Sequence, residues 1–175
     1  MRPLTERRDF LAFLGAMSLF FAAIEYIFPK PVPFFRLGLS NLPLLVALPV
    51  LNFKEVMLLV VIKVLGQGLV NGTLTSYVFL FSLVGSLTSA LIMFMVAKWG
   101  GSWFSLMGIG LWGALGSNVV QVILSVYFVF GPTAWIIAPL FLSLGTGAGV
   151  LVGWAAQRFT EKSLWWKRTI DGLSA

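Results

Sequence analysis

The stretch "KVLGQGLVNGT", residues 63–73, sets Lys63, Gln67 and Asn71 four residues apart in an otherwise apolar run. On a helix that spacing puts all three side chains on one face. An ammonium offers three hydrogen-bond donors and no acceptor, and an amide offers both. Such a face suits a ligand with a carboxylate, a phosphate or a polarised carbonyl. Similar residues recur elsewhere: Asn118 and Gln121 stand three apart, Asn41 follows Arg36, Glu25 is the one carboxylate within an apolar segment, and Tyr77 opens another. These nine residues form the candidate substrate-binding set. No catalytic residue is expected, because the chain has no pair of nearby acids, no nucleophile–base pair and no aspartate-rich motif. Cysteine and histidine are both absent, which removes disulfides, thiol chemistry and most metal and haem ligation. The pattern points to a binding protein, not an enzyme, with no cofactor and no metal implied.

The elements that must position these residues are membrane helices. Of 175 residues, 59% are hydrophobic and 10% charged, and mean hydropathy is +0.97. A soluble domain is about 25% charged. The expected architecture is all-α: a single membrane domain over residues 1–175, built as a six-transmembrane-helix bundle in the cell membrane. Apolar segments lie near 10–28, 37–51, 56–71, 74–97, 104–130 and 134–157, separated by "PKPVPFFR", "NFKE", "NGT", "KWGGS" and "GPT". The second is short and carries Pro43 and Pro49, so it is expected to kink or to span only in part. With a cytoplasmic N-terminus, nine basic residues fall inside: Arg2, Arg7, Arg8, Lys54, Lys98, Arg158, Lys162, Lys167 and Arg168. Only two, Lys30 and Arg36, fall outside. That asymmetry follows the positive-inside rule and puts both termini in the cytoplasm. The net charge of +6 is therefore a topology signal and calls for no nucleic acid. Trp165 and Trp166 are expected to anchor the tail at the bilayer surface, with Trp99, Trp103 and Trp135 near other span ends.

This topology brings the polar residues to one depth. Lys63 falls near mid-membrane, Gln67 and Asn71 above it, and Asn118 and Gln121 at middle to outer depth. Asn41, Glu25 and Tyr77 lie towards the outer side. A polar group facing lipid is costly, so these side chains should face the bundle interior. For a single Asn or Ser, bonding between packed helices is the plainer role. A lysine inside a span is by default functional, its alternatives being an ion pair with Glu25 or snorkelling. Gly145, Gly149 and Gly153 make a small-residue helix face for close packing. Ala12 and Ala16, one turn apart, serve either internal packing or docking of another membrane subunit. Three other motifs carry little: "NGT" is a chance glycosylation match in a surface turn, "GTGAG" lacks the acceptor threonine of a flavin-attachment sequence, and "GQG" lacks the rest of a phosphate loop.

"RLGLSNLPLLVALPVLNFKE" (36–55), "GQGLVNGTLTSYVFLFSLVGSLTSALIM" (66–93) and "GALGSNVVQ" (113–121) resemble the Gx transporter family, whose members are often labelled heptaprenyl diphosphate synthase component I. The resemblance runs over about residues 10–157. That family is similar in turn to the S components of energy-coupling-factor vitamin transporters. The resemblance implies a six-helix membrane protein that captures a small vitamin-like molecule at its outer face, beneath a lid here at residues 29–37. It also implies a transmembrane coupling subunit, docked on Ala12 and Ala16, and separate ATPase subunits, since the chain has no ATP-binding motif. The synthase label fits poorly: prenyl synthases hold diphosphate through magnesium on aspartate-rich motifs, and the two aspartates here, Asp9 and Asp171, lie in the tails. Some members are associated with flavin- or quinone-linked extracellular electron transfer, which leaves a redox-linked membrane component as the alternative. A purely structural subunit is the third reading. The topology is testable in intact cells: a cysteine placed at Ser102 should be shielded from an impermeant external thiol reagent, while one at Thr133 should react. The reverse pattern would overturn the orientation.

Overall fold

The structure, a computed structural model, describes residues 7–27, 37–100 and 103–174. Among these residues there are seven α-helices and no strand. Helix α1 is Arg7–Ile27, α2 Leu42–Ala47, α3 Phe53–Val70, α4 Tyr77–Gly100, α5 Leu106–Phe128, α6 Ala134–Lys162 and α7 Leu164–Ser174. Three stretches, Tyr77–Gly100, Leu106–Phe128 and Gly131–Lys162, are long and apolar enough to cross a membrane. The chain is thus an all-helical membrane protein.

Helix α1 is two-faced. Phe10, Leu14, Ser18, Ala22 and Glu25 recur at helical spacing and are buried, while Ala12, Ala16, Phe20, Ala23 and Ile27 are exposed along the opposite side. Ala12 and Ala16 therefore do not serve internal packing. Helix α3 begins at a capping box, in which the Asn52 side chain accepts from the Glu55 N–H at 3.0 Å and Glu55 accepts from the Asn52 N–H at 2.9 Å. Glu55 is also gripped by Arg7, whose Nη2 lies 2.6 Å from Oε2. The hydrogen bond from Arg7 holds the Glu55 carboxyl below the ordinary carboxylate range, and Glu55 in turn raises Arg7.

The second apolar segment is not one long helix. Gly38, with φ +78°, takes a left-handed turn that a side chain would strain, and leads into a 3-10 turn at Leu39–Asn41. Helix α2 follows, six residues long with Pro43 in its first turn, and it ends just before Pro49, which has no N–H to continue the helical ladder. Its two ends are tied to the two ends of α1. The Gly38 N–H donates to Glu25 Oε1 at 2.9 Å, and Arg7 Nη2 donates to the Val50 carbonyl at 3.0 Å. The stretch of α1 between Arg7 and Glu25 rises about 27 Å at ~1.5 Å per residue. Residues 38–50, a 3-10 turn, a short helix and a turn in succession, are bridged to α1 by the side chains of Glu25 and Arg7.

Helices α5 and α6 approach closely through glycine. A Cβ on Gly149 would sit 2.3 Å from Ala114 Cβ and 2.9 Å from the Gly110 carbonyl oxygen, and one on Gly153 would sit 2.6 Å from Met107 Cα. The small-residue face expected at 145, 149 and 153 is this contact. Helix α7 lies outside the expected spans: Trp166 is 3% exposed, tilted against Phe10 and Phe159, and the half-buried Trp165 is tilted against Phe13. These rings clamp α7 to α1. Trp99, Trp103 and Trp135 are well exposed. Gly149→Ala should lower stability in detergent by about 1–3 kcal/mol, because backbone on α5 must yield. Gly147→Ala, where a Cβ meets open space, should be neutral or gain up to ~1 kcal/mol. Equal melts for the two variants would show that the glycine contact is loose.

Candidate functional site

Helices α3, α4, α5 and α6 and the chain at 37–45 enclose a cavity of about 50 Å³ in the middle of the bundle. That is room for a few waters. Lys63, Asn41, Asn118 and Gln121 line it, joined by Ser40, Ser82, Ser86, Ser89 and Ser117. Leu45, Met93 and Val152 supply its apolar surface.

Lys63 sits on the buried stripe of α3, between Val60 and Val64, at 4% exposure. Its Nζ donates to Asn41 Oδ1 at 2.5 Å. Asn41 is held there by the 3-10 turn after Gly38. Glu25, weighed above as the lysine's partner, accepts instead from the Gly38 N–H, and its other oxygen is buried with no hydrogen-bond partner. Glu25 does not line the cavity. It fixes the backbone at Gly38, which does. The Gln121 Nε2 donates to Ser117 Oγ at 2.9 Å, one turn back on α5. Asn118 is pressed against α6, where a Cβ on Gly145 would fall 2.1 Å from its Nδ2. That Nδ2 is buried without a hydrogen-bond partner, as is Ser89 Oγ on α4. Leaving such a group unmet typically costs ~1–3 kcal/mol.

The opening stripe is only partly shared with this cavity. Lys63 lines it; Gln67 is buried one layer behind, its Oε1 3.5 Å from Ser82 Oγ; Asn71 caps α3 in the turn. Positions four apart rise about 6 Å each, so three of them outrun a cavity this small. Tyr77 is 55% exposed, edge-on to Phe81, and away from the lining. Arg36 lies outside the described residues, as does the expected lid apart from Leu37, which lines the cavity. Sequence reasoning missed the serines. Their signal was present: Ser82, Ser86 and Ser89 stand at i, i+4 and i+7 on α4, one polar face in an apolar helix.

The geometry separates two partners for Lys63. Lys63→Met removes a burial cost of roughly 2.5–3.5 kcal/mol on insertion scales but strips Asn41 of its donor. The apo protein should melt at an equal or higher temperature. Combined with Glu25→Gln, the two effects should add within about 0.5 kcal/mol, whereas Lys63→Met with Asn41→Leu should depart from additivity by more. Strong coupling to Glu25 would overturn the assignment.

The model of the family described as heptaprenyl diphosphate synthase component I matches residues 14–159. No curated protein and no solved structure matches the chain.

Proposed function

The chain belongs to the heptaprenyl diphosphate synthase component I family, and from that premise we propose that it is the membrane-embedded S component of an energy-coupling-factor-type transporter. It captures a small anionic or carbonyl-bearing molecule at the outer face for uptake. It does so as a six-span bundle in the cell membrane with both termini cytoplasmic, and it catalyses no reaction. The observation that carries this reading is a buried lysine, with serine and asparagine groups left unmet, around one enclosed cavity in an apolar bundle. Helix glue alone explains paired amides; it does not explain a cation and two unmet donors on residues that line one cavity.

The exposed face of α1 supports the partner. Ala12 and Ala16 leave the helix backbone approachable, as close helix–helix docking in a membrane needs. A coupling subunit seated there, working with ATPase subunits, would supply the energy that this chain has no motif to harvest. The redox alternative draws less support, since no aromatic ring is among the described lining residues to stack on a flavin or quinone.

The test is uptake. Cells carrying the gene and a coupling module should accumulate the metabolite that mass spectrometry finds copurifying with the protein. Replacing Ala12 and Ala16 together with leucine should abolish assembly and uptake while leaving binding by the isolated protein within about twofold. A copurifying coloured, reducible species, with no uptake, would instead favour the electron-transfer role.

A further inference from the structure

We propose that the cavity recognises its ligand by an oxyanion on a short aliphatic body, the anionic group seated among Lys63, Ser89 and Asn118. This rests on the binding role given above and names the class of ligand.

The lining argues the class group by group. Among the described residues it carries one basic side chain and no acidic one. Asn118 Nδ2 is a pure donor, and it is buried and unpartnered at 6% residue exposure. Ser89 Oγ, at 1% exposure, is likewise unpartnered and able to donate. Two donors and a cation around one small space call for a group that is acceptor-only, which an ionised oxyanion is. A neutral amide has one acceptor oxygen and brings two donors of its own, which the lysine cannot accept. The donors are also held in place. Asn118 rests on Gly145, where any side chain would displace its amide, and Ser89 packs beside Gly113, where a Cβ would meet its Oγ at 3.1 Å. Preorganised donors of this kind lose little on binding. Leu45, Met93 and Val152 give a short hydrocarbon chain its surface, beside Ser40, Ser82, Ser86, Ser117 and Gln121, and a doubly charged inorganic ion would meet only the one cation, Lys63. The volume of about 50 Å³ leaves no room for a ring system without repacking.

The test uses the full chain in detergent, dialysed free of copurifying solutes, titrated by calorimetry with butyrate, butyramide, benzoate and inorganic sulfate. Butyrate should bind, and the other three should bind at least about tenfold more weakly. Ser89→Ala, a change expected to leave the fold intact, should weaken butyrate about tenfold, since a hydrogen bond to a charged group is lost. Lys63→Met should weaken it at least as much. Butyramide, benzoate or sulfate binding as well as butyrate would overturn the proposal, and so would no heat from any of the four. Should that pattern fail while the copurified metabolite is still taken up, the transport reading stands and the ligand class falls. Should butyrate bind as expected in a protein that supports no uptake, the site stands and the transport reading falls.

Discussion

Helices α5 and α6 can lie as close as they do only because Gly110, Gly149 and Gly153 put no side chain where the two backbones meet. In a bilayer, lipid tails compete with any apolar side chain, so helices hold together through close van der Waals contact and polar bonds. The glycine seam gives the first. It also sets the position of the second, because Gly145 belongs to the same ridge and receives the Asn118 amide. Shift the ridge and the back wall of the cavity shifts with it. The polar centre of the molecule therefore rests on a steric condition and not on a network of ion pairs. The ion pair found among the described residues, Arg7 with Glu55, lies at the far end and fastens α1 to the start of α3.

The other half of the cavity is built differently. Here α2 is too short to cross by itself, and the chain from Gly38 to Val50 is held by two ties, one to Glu25 and one to Arg7. The 3-10 turn after Gly38 holds Asn41 where Lys63 Nζ donates to it. One wall is thus rigid and glycine-packed. The facing wall is a partly helical strap held at its ends. A site walled in this way combines donors fixed on α4 and α5 with a facing segment whose residues 44–48 are buried in the core.

Much of this was legible in the sequence. Composition alone fixed the class, and Pro43 and Pro49 announced that the second segment would not be a plain span. Asn41, Lys63, Asn118 and Gln121 were found because charged and amide side chains are rare in such a chain, so each is conspicuous. The serines were not found, because serine is common in membrane helices and its signal is only the spacing. Tyr77 and Asn71 were overread for a different reason: depth from a hydropathy plot says nothing about which way a side chain points at the end of a helix. The pairing of Lys63 with Asn41 could not be read either. It depends on the left-handed turn at Gly38, a backbone event that leaves a glycine in the sequence and nothing more. The amphipathic α7 was hidden by its tryptophans, which look the same whether they meet lipid or phenylalanine.

The clamp of α7 on α1 joins helices from opposite ends of the chain. Phe10 and Phe13 leave the ribosome early, and Trp165 and Trp166 leave it after all the other described helices have been made. Until then the side of α1 that carries Phe10 has no ring to stack on, and in the membrane it is covered by lipid or by whatever chaperones insertion. Closure of the bundle is consequently a late event, set by synthesis and not by the first helices to insert. The contact with the longest loop to close is also the one that completes the interior. A chain cut just before Leu164 would keep every described cavity residue and leave its first helix unfastened.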